Sequence, residues 1–68
     1  MNTVMKKARE KVGLTQAEVA RRANISTMSY FRYETGKRTP NAKAAALIAK
    51  ALETTVEQIF GEGSEASE

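Results

Sequence analysis

Two residue types that commonly build active sites and metal centres are missing from this chain, which has no cysteine and no histidine. The absence of cysteine excludes a disulfide framework and a thiolate metal site, and the two absences together remove the usual zinc ligands. We therefore expect no metal and no cofactor. Aspartate is also missing, and no phosphate-cradling glycine loop is present. These absences indicate that the protein is not an enzyme.

Long apolar runs are absent as well. No stretch approaches the ~20 residues that span a bilayer, and the N-terminus lacks the apolar region and cleavage site of a signal peptide. With 68 residues, the chain holds one small domain at most. We expect a cytoplasmic protein with no membrane association and no small-molecule ligand domain.

Positive charge is what the chain has in excess, with a formal net charge of +3. Residues 62–68 hold three glutamates and no base, and their Gly, Ser and Glu composition cannot bury enough apolar surface to fold. We predict a disordered acidic tail there. The body, residues 1–61, sets 11 basic residues against five glutamates and carries +6. Such a body suits a polyanion, although solubility alone explains the charge equally well.

Apolar spacing and capping residues predict an all-α chain of five short helices. Met5, Ala8 and Val12 recur at i, i+3 and i+7 in a helix over residues 3–12. Thr15 caps a second helix, in a capping box with a glutamate three residues later, and Ser26 caps a third. The bounds expected for the last three helices are about 27–35, 41–52 and 56–60.

Several short motifs follow one another in one order: "LTQAEVARRANIS", "YETGKRTP", "AKAL" and "VEQIF". Together they resemble the Cro/CI-type helix-turn-helix family of phage and bacterial repressors, over residues 5–60. The resemblance implies a five-helix lambda-repressor-like DNA-binding domain in residues 1–61, with the third helix as the recognition helix. It implies a sequence-specific transcriptional regulator of double-stranded DNA, a repressor that occupies an operator. The expected location is the nucleoid of a bacterial cell, with a bacterial, phage or plasmid gene.

The recognition helix divides its side chains between two faces, because a helix turns about 100° per residue. Tyr30 and Tyr33 fall on one face and are predicted to be core. The other face carries Thr27, Met28, Phe31 and Arg32. The family places such a face against base edges in the major groove.

Each residue of the outer face leaves alternatives open. Arg32 can make a bidentate contact with guanine O6 and N7, or it contacts phosphate alone. Thr27 can bond to a base or touch a thymine methyl, whereas Met28 makes apolar contact or is partly buried at the helix start. Phe31 either touches thymine methyls and sugar or lies against the basic loop, and an exposed aromatic is a costly choice for a purely solvated surface.

A second set of residues is predicted to contact the DNA backbone. Gln16 matches a family position that contacts phosphate, at a helix N-terminus that favours an anion. The loop "GKRTPN" after the recognition helix is basic. The predicted backbone contacts are Gln16, Ser26, Lys37, Arg38, Asn41 and Lys43. For the basic residues among them, plain solvation is the alternative.

The resemblance also implies an ion pair and a dimer. Arg9 and Glu34 match a paired family position, and we predict a largely buried pair that fixes the recognition helix. Val56, Ile59 and Phe60 on the last helix are the candidate seam of a homodimer that binds two half-sites about 34 Å apart. Alternatively, these three side chains close the core.

The chain departs from the family pattern at two corners and at the tyrosines. Asn24 and Glu53 stand where the family usually has glycine. A left-handed Glu costs about 1 kcal/mol more than Gly. An alternative at Glu53 is therefore a turn with a different backbone conformation. Tyr30 and Tyr33 stand where aliphatics are usual, and the alanine-rich start of the fourth helix is the candidate compensation for their size.

Two other functions compete with DNA regulation. The first is a protein-interaction module, such as an antitoxin or adaptor, whose helix-turn-helix face would bind a protein through Met28 and Phe31. The second is a single-strand binder that stacks bases on aromatics. It needs several exposed aromatics in one groove, and the helical period leaves only Phe31.

Overall fold

The computed structural model describes residues 3–60, and all regular structure within that range is helical. The helices are α1 (Thr3–Val12), α2 (Gln16–Arg22), α3 (Thr27–Glu34), α4 (Ala42–Ala51) and α5 (residues 56–60). The predicted five-helix, all-α fold is confirmed. The predicted acidic tail lies outside the described residues. Within the described part of the chain, no helix has the length and apolar character needed to cross a membrane.

Short polar side chains cap the starts of α2, α3 and α4, and the sequence predicts the first two of these caps. Thr15 Oγ1 accepts from the backbone N–H of Glu18 at 3.1 Å, and Glu18 Oε1 accepts from the backbone N–H of Thr15 at 2.7 Å. Ser26 caps α3 and Asn41 caps α4 through their side-chain oxygens. Each cap satisfies a backbone N–H group that the first turn of a helix leaves without a partner.

The corners between helices carry left-handed residues. Gly13 has a φ of 76° and Gly36 a φ of 80°, while Asn24 reaches 61° without being glycine. Glu53 also adopts a φ of 59°, so the turn after α4 keeps the left-handed backbone conformation although it has no glycine there. The N–H that follows Glu53 donates to a carbonyl in the last turn of α4 at 2.9 Å. This capping bond offsets part of the cost of a left-handed glutamate.

Two helices are shorter than predicted, because residues predicted to end them lie at the cap positions just outside the helix. The third helix was expected to include Thr35, but α3 ends at Glu34 and Thr35 is its C-cap. Likewise, Asn41 and Leu52 flank α4 rather than belong to it. Differences of one residue at a helix end are within the usual range of such assignments.

The core lies where α2 packs against both α3 and α4, and α1 closes it against α3. Tyr30 is fully buried, and Tyr33 is half-buried against the same core. On α4, Ala45 and Ala49 are buried, and Ala44 is half-buried. The extensive contact of α4 is with α2 rather than α3. The alanines of α4 therefore have a smaller part in accommodating the tyrosines than the sequence suggested.

Candidate nucleic-acid interface

One face of α3 is open to solvent. Thr27, Met28, Phe31 and Arg32 are all exposed, and Met28 and Phe31 keep 57% and 41% of their surface accessible. Met28 and Phe31 lie outside the core and are not among the side chains packed against it. The alternative of a partly buried Met28 is therefore wrong. The helix presents two large apolar side chains and an arginine on one accessible surface.

The opposite face of α3 is anchored through a single carboxylate. Glu34 Oε2 accepts from Arg9 Nε at 2.8 Å and from the Tyr30 hydroxyl at 3.0 Å. Its Oε1 accepts from Arg9 Nη2 at 3.3 Å and from Gln16 Nε2 at 2.5 Å. The side chains of Arg9 and Glu34 are only 14% and 5% exposed. The ion pair that the resemblance implies is formed, and it ties α1, α2 and α3 together.

The pKa values in this network follow its hydrogen bonds. Burial by itself raises the pKa of Glu34, but the hydrogen bonds from Arg9, Gln16 and Tyr30 outweigh it and hold that pKa below its usual value. The hydrogen bond to Glu34 raises the pKa of Arg9. Burial raises the pKa of the Tyr30 hydroxyl. The network is therefore an ionised pair with a neutral tyrosine at neutral pH.

The basic loop is held beside the end of α3 by its backbone. The N–H groups of Lys37 and Arg38 both donate to the Arg32 carbonyl, at 2.9 and 3.2 Å. Both side chains are exposed. Gly36 makes this sharp return possible through its positive φ. The exposed Arg32 and the first two cations of the loop thus lie on neighbouring segments at the end of α3.

Comparison with known proteins decides the family. The model of the helix-turn-helix family matches residues 5–59, which is most of the chain. A protein of Archaeoglobus fulgidus, described as an uncharacterized HTH-type transcriptional regulator, is 35% identical over 60 residues, which cover 88% of this chain and 84% of that protein. No solved structure matches the chain.

The chain belongs to the Cro/CI-type helix-turn-helix family. Its helix-turn-helix pair is α2 and α3, joined at the left-handed Asn24. Family membership supports a DNA-binding regulator, and neither comparison favours the protein-interaction module considered above. In a helix-turn-helix protein, the second helix of the pair lies in the major groove. In this chain the second helix of the pair is α3.

Three polar residues predicted to contact the backbone already have bonds inside the protein. Gln16 gives one amide hydrogen to Glu34, which leaves its second amide hydrogen for a phosphate. Asn41 uses its side-chain oxygen as the cap of α4 and keeps its amide donors. Ser26 donates its only hydroxyl hydrogen to Ser29 at 2.9 Å, so a phosphate contact from this side chain requires that bond to break. Lys43 is exposed, like the loop cations.

A cleft beside the recognition helix shows a residue that sequence reasoning missed. The cleft has a volume of about 620 Å³ and lies between α1, the start of α2 and α3. Its lining includes Lys6 from α1, Gln16 from α2 and Phe31 from α3. The spacing of Lys6 on α1 gave no signal, because its position beside Gln16 depends on how α1 packs. Lys6 thereby joins the candidate backbone contacts as a fourth basic residue.

The candidate dimer residues on α5 differ in exposure. Ile59 is 7% exposed and belongs to the core of the monomer. Val56 is 37% exposed, and Phe60 is half-buried against the core. Of the three, Val56 and Phe60 offer surface to a second copy, while Ile59 closes the monomer core.

Proposed function

We propose that this protein is a transcriptional repressor that occupies a specific operator in double-stranded DNA, inside the cytoplasm. The observation that carries the proposal is the division of α3 between an anchored inner face and an open outer face. Glu34 holds the helix from within through Arg9, Gln16 and Tyr30. The outer face then meets base edges without reorganising. Occupation of the operator would exclude polymerase from the same DNA.

Base reading belongs to the four exposed residues of α3, which are Thr27, Met28, Phe31 and Arg32. Arg32 is the residue best suited to a bidentate contact with guanine, which is worth about 1–3 kcal/mol of discrimination. Its side chain is exposed and makes no ion pair within residues 3–60. Thr27 stands at the helix start, where the N-terminal residues of a recognition helix reach the bases.

Backbone contacts flank the recognition helix on both sides. Lys6 and Gln16 line the same cleft as Phe31, and Lys37 and Arg38 follow α3 on the loop, with their backbone N–H groups bonded to the Arg32 carbonyl. The remaining proposed contacts are Ser26, Asn41 and Lys43. Such contacts position a protein on the duplex without reading its sequence. They would also make the binding salt-dependent, because each neutralised phosphate releases condensed counterions.

A homodimer would give the recognition surface its second half-site. One recognition helix contacts few base pairs, and two copies related by a two-fold axis would read half-sites about 34 Å apart. We place the seam on the α5 side of the molecule, through Val56 and Phe60, with Ile59 supporting them from the core. Removal of apolar surface at Val56 would weaken the dimer and leave the monomer fold intact.

The test is selection from random duplex DNA, followed by binding of the best site at two salt concentrations. Enrichment of an inverted repeat is the expected result, with affinity that falls steeply as salt rises. A scrambled duplex of the same length and composition serves as the control for non-specific binding. A library that yields no enriched motif would contradict the proposal.

A further inference from the structure

Two apolar side chains stand at the centre of the exposed face of the recognition helix. Met28 and Phe31 lie one turn apart, so they fall on the same side of α3. Both are exposed, and neither packs against the core. Cations lie toward the C-terminal end of this pair, because Arg32 follows Phe31 and the backbone N–H groups of Lys37 and Arg38 donate to the Arg32 carbonyl. An apolar pair beside basic residues matches duplex DNA better than it matches an apolar protein surface.

The major groove offers one apolar group on the base edges. Apart from ring C–H groups, the other groups there are hydrogen-bond donors or acceptors, whereas thymine carries a methyl at C5. An apolar side chain pressed against a donor or acceptor removes water and gives no hydrogen bond in return, which is unfavourable. A side chain pressed against the methyl buries apolar surface from both sides, which is favourable. Met28 and Phe31 therefore have one favourable partner in the groove.

We infer that Met28 and Phe31 together read the C5-methyl groups of pyrimidines in the operator half-site. This inference rests on the proposed function and adds the chemical group that the apolar pair recognises. Phe31 keeps 41% of its surface accessible and lines a cleft to which no residue of the basic loop contributes. The inference also predicts that 5-methylcytosine is read like thymine at these positions, because both bases carry the methyl at C5.

The experiment replaces thymine by deoxyuridine, one position at a time, in the duplex obtained by selection. This exchange removes the methyl and keeps base pairing. Affinity is measured for the full chain and for the variants Phe31→Ala, Met28→Ala and Phe31→Leu. We expect one or two positions in each half-site where deoxyuridine weakens binding about four-fold, the value for one buried methyl. The effect should vanish in the alanine variant that loses the contact and persist in Phe31→Leu, which keeps an apolar side chain.

A second arm tests the methyl in another base. At a position sensitive to deoxyuridine, the thymine is replaced by cytosine or by 5-methylcytosine, each paired with guanine. The duplex with 5-methylcytosine should bind about four-fold more tightly than the one with cytosine. Thermal melting of each protein variant confirms that it is folded.

The outcomes separate this inference from the proposed function. Specific binding with no sensitivity to deoxyuridine at any position overturns the inference and leaves the proposed function standing. Equal sensitivity in the wild type and in both alanine variants also overturns it, because the methyl would then act through DNA shape. Failure to bind any duplex specifically overturns both.

Discussion

The two faces of α3 differ in burial and in hydrogen bonding. On the inner face, Tyr30 is fully buried and Glu34 accepts four hydrogen bonds from three side chains. On the outer face, Met28 and Phe31 keep about half of their surface accessible, and Arg32 makes no ion pair within the described residues. The eight residues of α3 thus contribute both to a buried hydrogen-bond network shared with α1 and α2 and to an exposed surface that carries two apolar side chains and an arginine.

This difference shows how a very small domain can present a precise surface. A short helix is marginally stable by itself and owes its order to tertiary packing. The inner network fixes α3 against α1 and α2. The outer residues therefore do not have to stabilise the fold and can be suited to ligand binding. Changes on the inner face should therefore alter stability, and changes on the outer face should alter binding.

The largest effect is expected from Arg9→Ala. This change leaves the carboxylate of Glu34 buried without its cation, which typically destabilises a protein by about 3–5 kcal/mol. Thermal melting of the variant measures the loss. Arg22→Ala, at an exposed position on α2, is the matched control and should shift stability by less than about 0.5 kcal/mol. Equal melting of the wild type and Arg9→Ala would show that the pair does not hold α3.

Tyr30→Phe should have the next largest effect. It removes only the hydroxyl that donates to Glu34 at 3.0 Å, and a hydrogen bond to a charged group contributes about 1.5–3 kcal/mol. Tyr33→Phe is the control, because the Tyr33 hydroxyl makes no hydrogen bond within residues 3–60 and the side chain is only half-buried. Denaturant unfolding of both variants distinguishes them. A larger loss of unfolding free energy in Tyr33→Phe than in Tyr30→Phe would contradict the assignment of Tyr30 as the hydrogen-bonded residue of the inner face.

Arg32→Ala should alter binding without altering stability. Loss of a bidentate guanine contact weakens specific binding by about 1–3 kcal/mol and relaxes the preference at one base pair. Melting should stay within about 0.5 kcal/mol of the wild type. Lys50→Ala, at an exposed position near the end of α4, is the control for a lost positive charge. If Arg32→Ala weakens binding to all sequences equally, the contact is to phosphate.

The inner network also predicts a partial loss of stability in acid. The pKa of Glu34 is lowered in the folded state, so the group stabilises the fold fully at pH above its unfolded pKa of about 4.3. This stabilisation is lost as the pH falls from there through the lower folded pKa. Unfolding measured from pH 7 to pH 2 should show a shallower decline in Glu34→Gln than in the wild type. Parallel curves would show that Glu34 does not contribute to the acid dependence.

The smallest effect on stability is expected from Phe31→Ala. The ring lies outside the core, and its removal should shift the free energy of unfolding by less than about 0.5 kcal/mol. Calorimetry checks this value. A loss of about 3 kcal/mol, which is typical of a buried phenylalanine, would mean that Phe31 is a packing residue and that the two faces are not separate.

The sequence predicted the features that depend on local chemistry. Helix starts at Thr15 and Ser26 followed from their capping oxygens, whereas Asn41 was expected inside the fourth helix and is its N-cap. The period of the helix also predicted that Tyr30 and Phe31 lie on different faces of α3, because successive side chains are about 100° apart.

Features that depend on packing between helices were less predictable. The bond from Gln16 to Glu34 and the place of Lys6 beside the cleft require α1, α2 and α3 to be assembled first. The left-handed Glu53 was also not fixed by its residue type, since glutamate disfavours that conformation. The burial of Ile59 in the monomer depends in the same way on where α5 packs.

The central claim is that the outer face of α3 contacts bases while its inner face stays in the protein. Its most direct test is nuclear magnetic resonance of the complex with the selected duplex. We predict intermolecular nuclear Overhauser effects from the Met28 methyl and the Phe31 ring to major-groove protons, and none from the Tyr30 ring. Contacts to DNA from α4 or α5, with the protons of Met28 and Phe31 unaffected, would contradict this account.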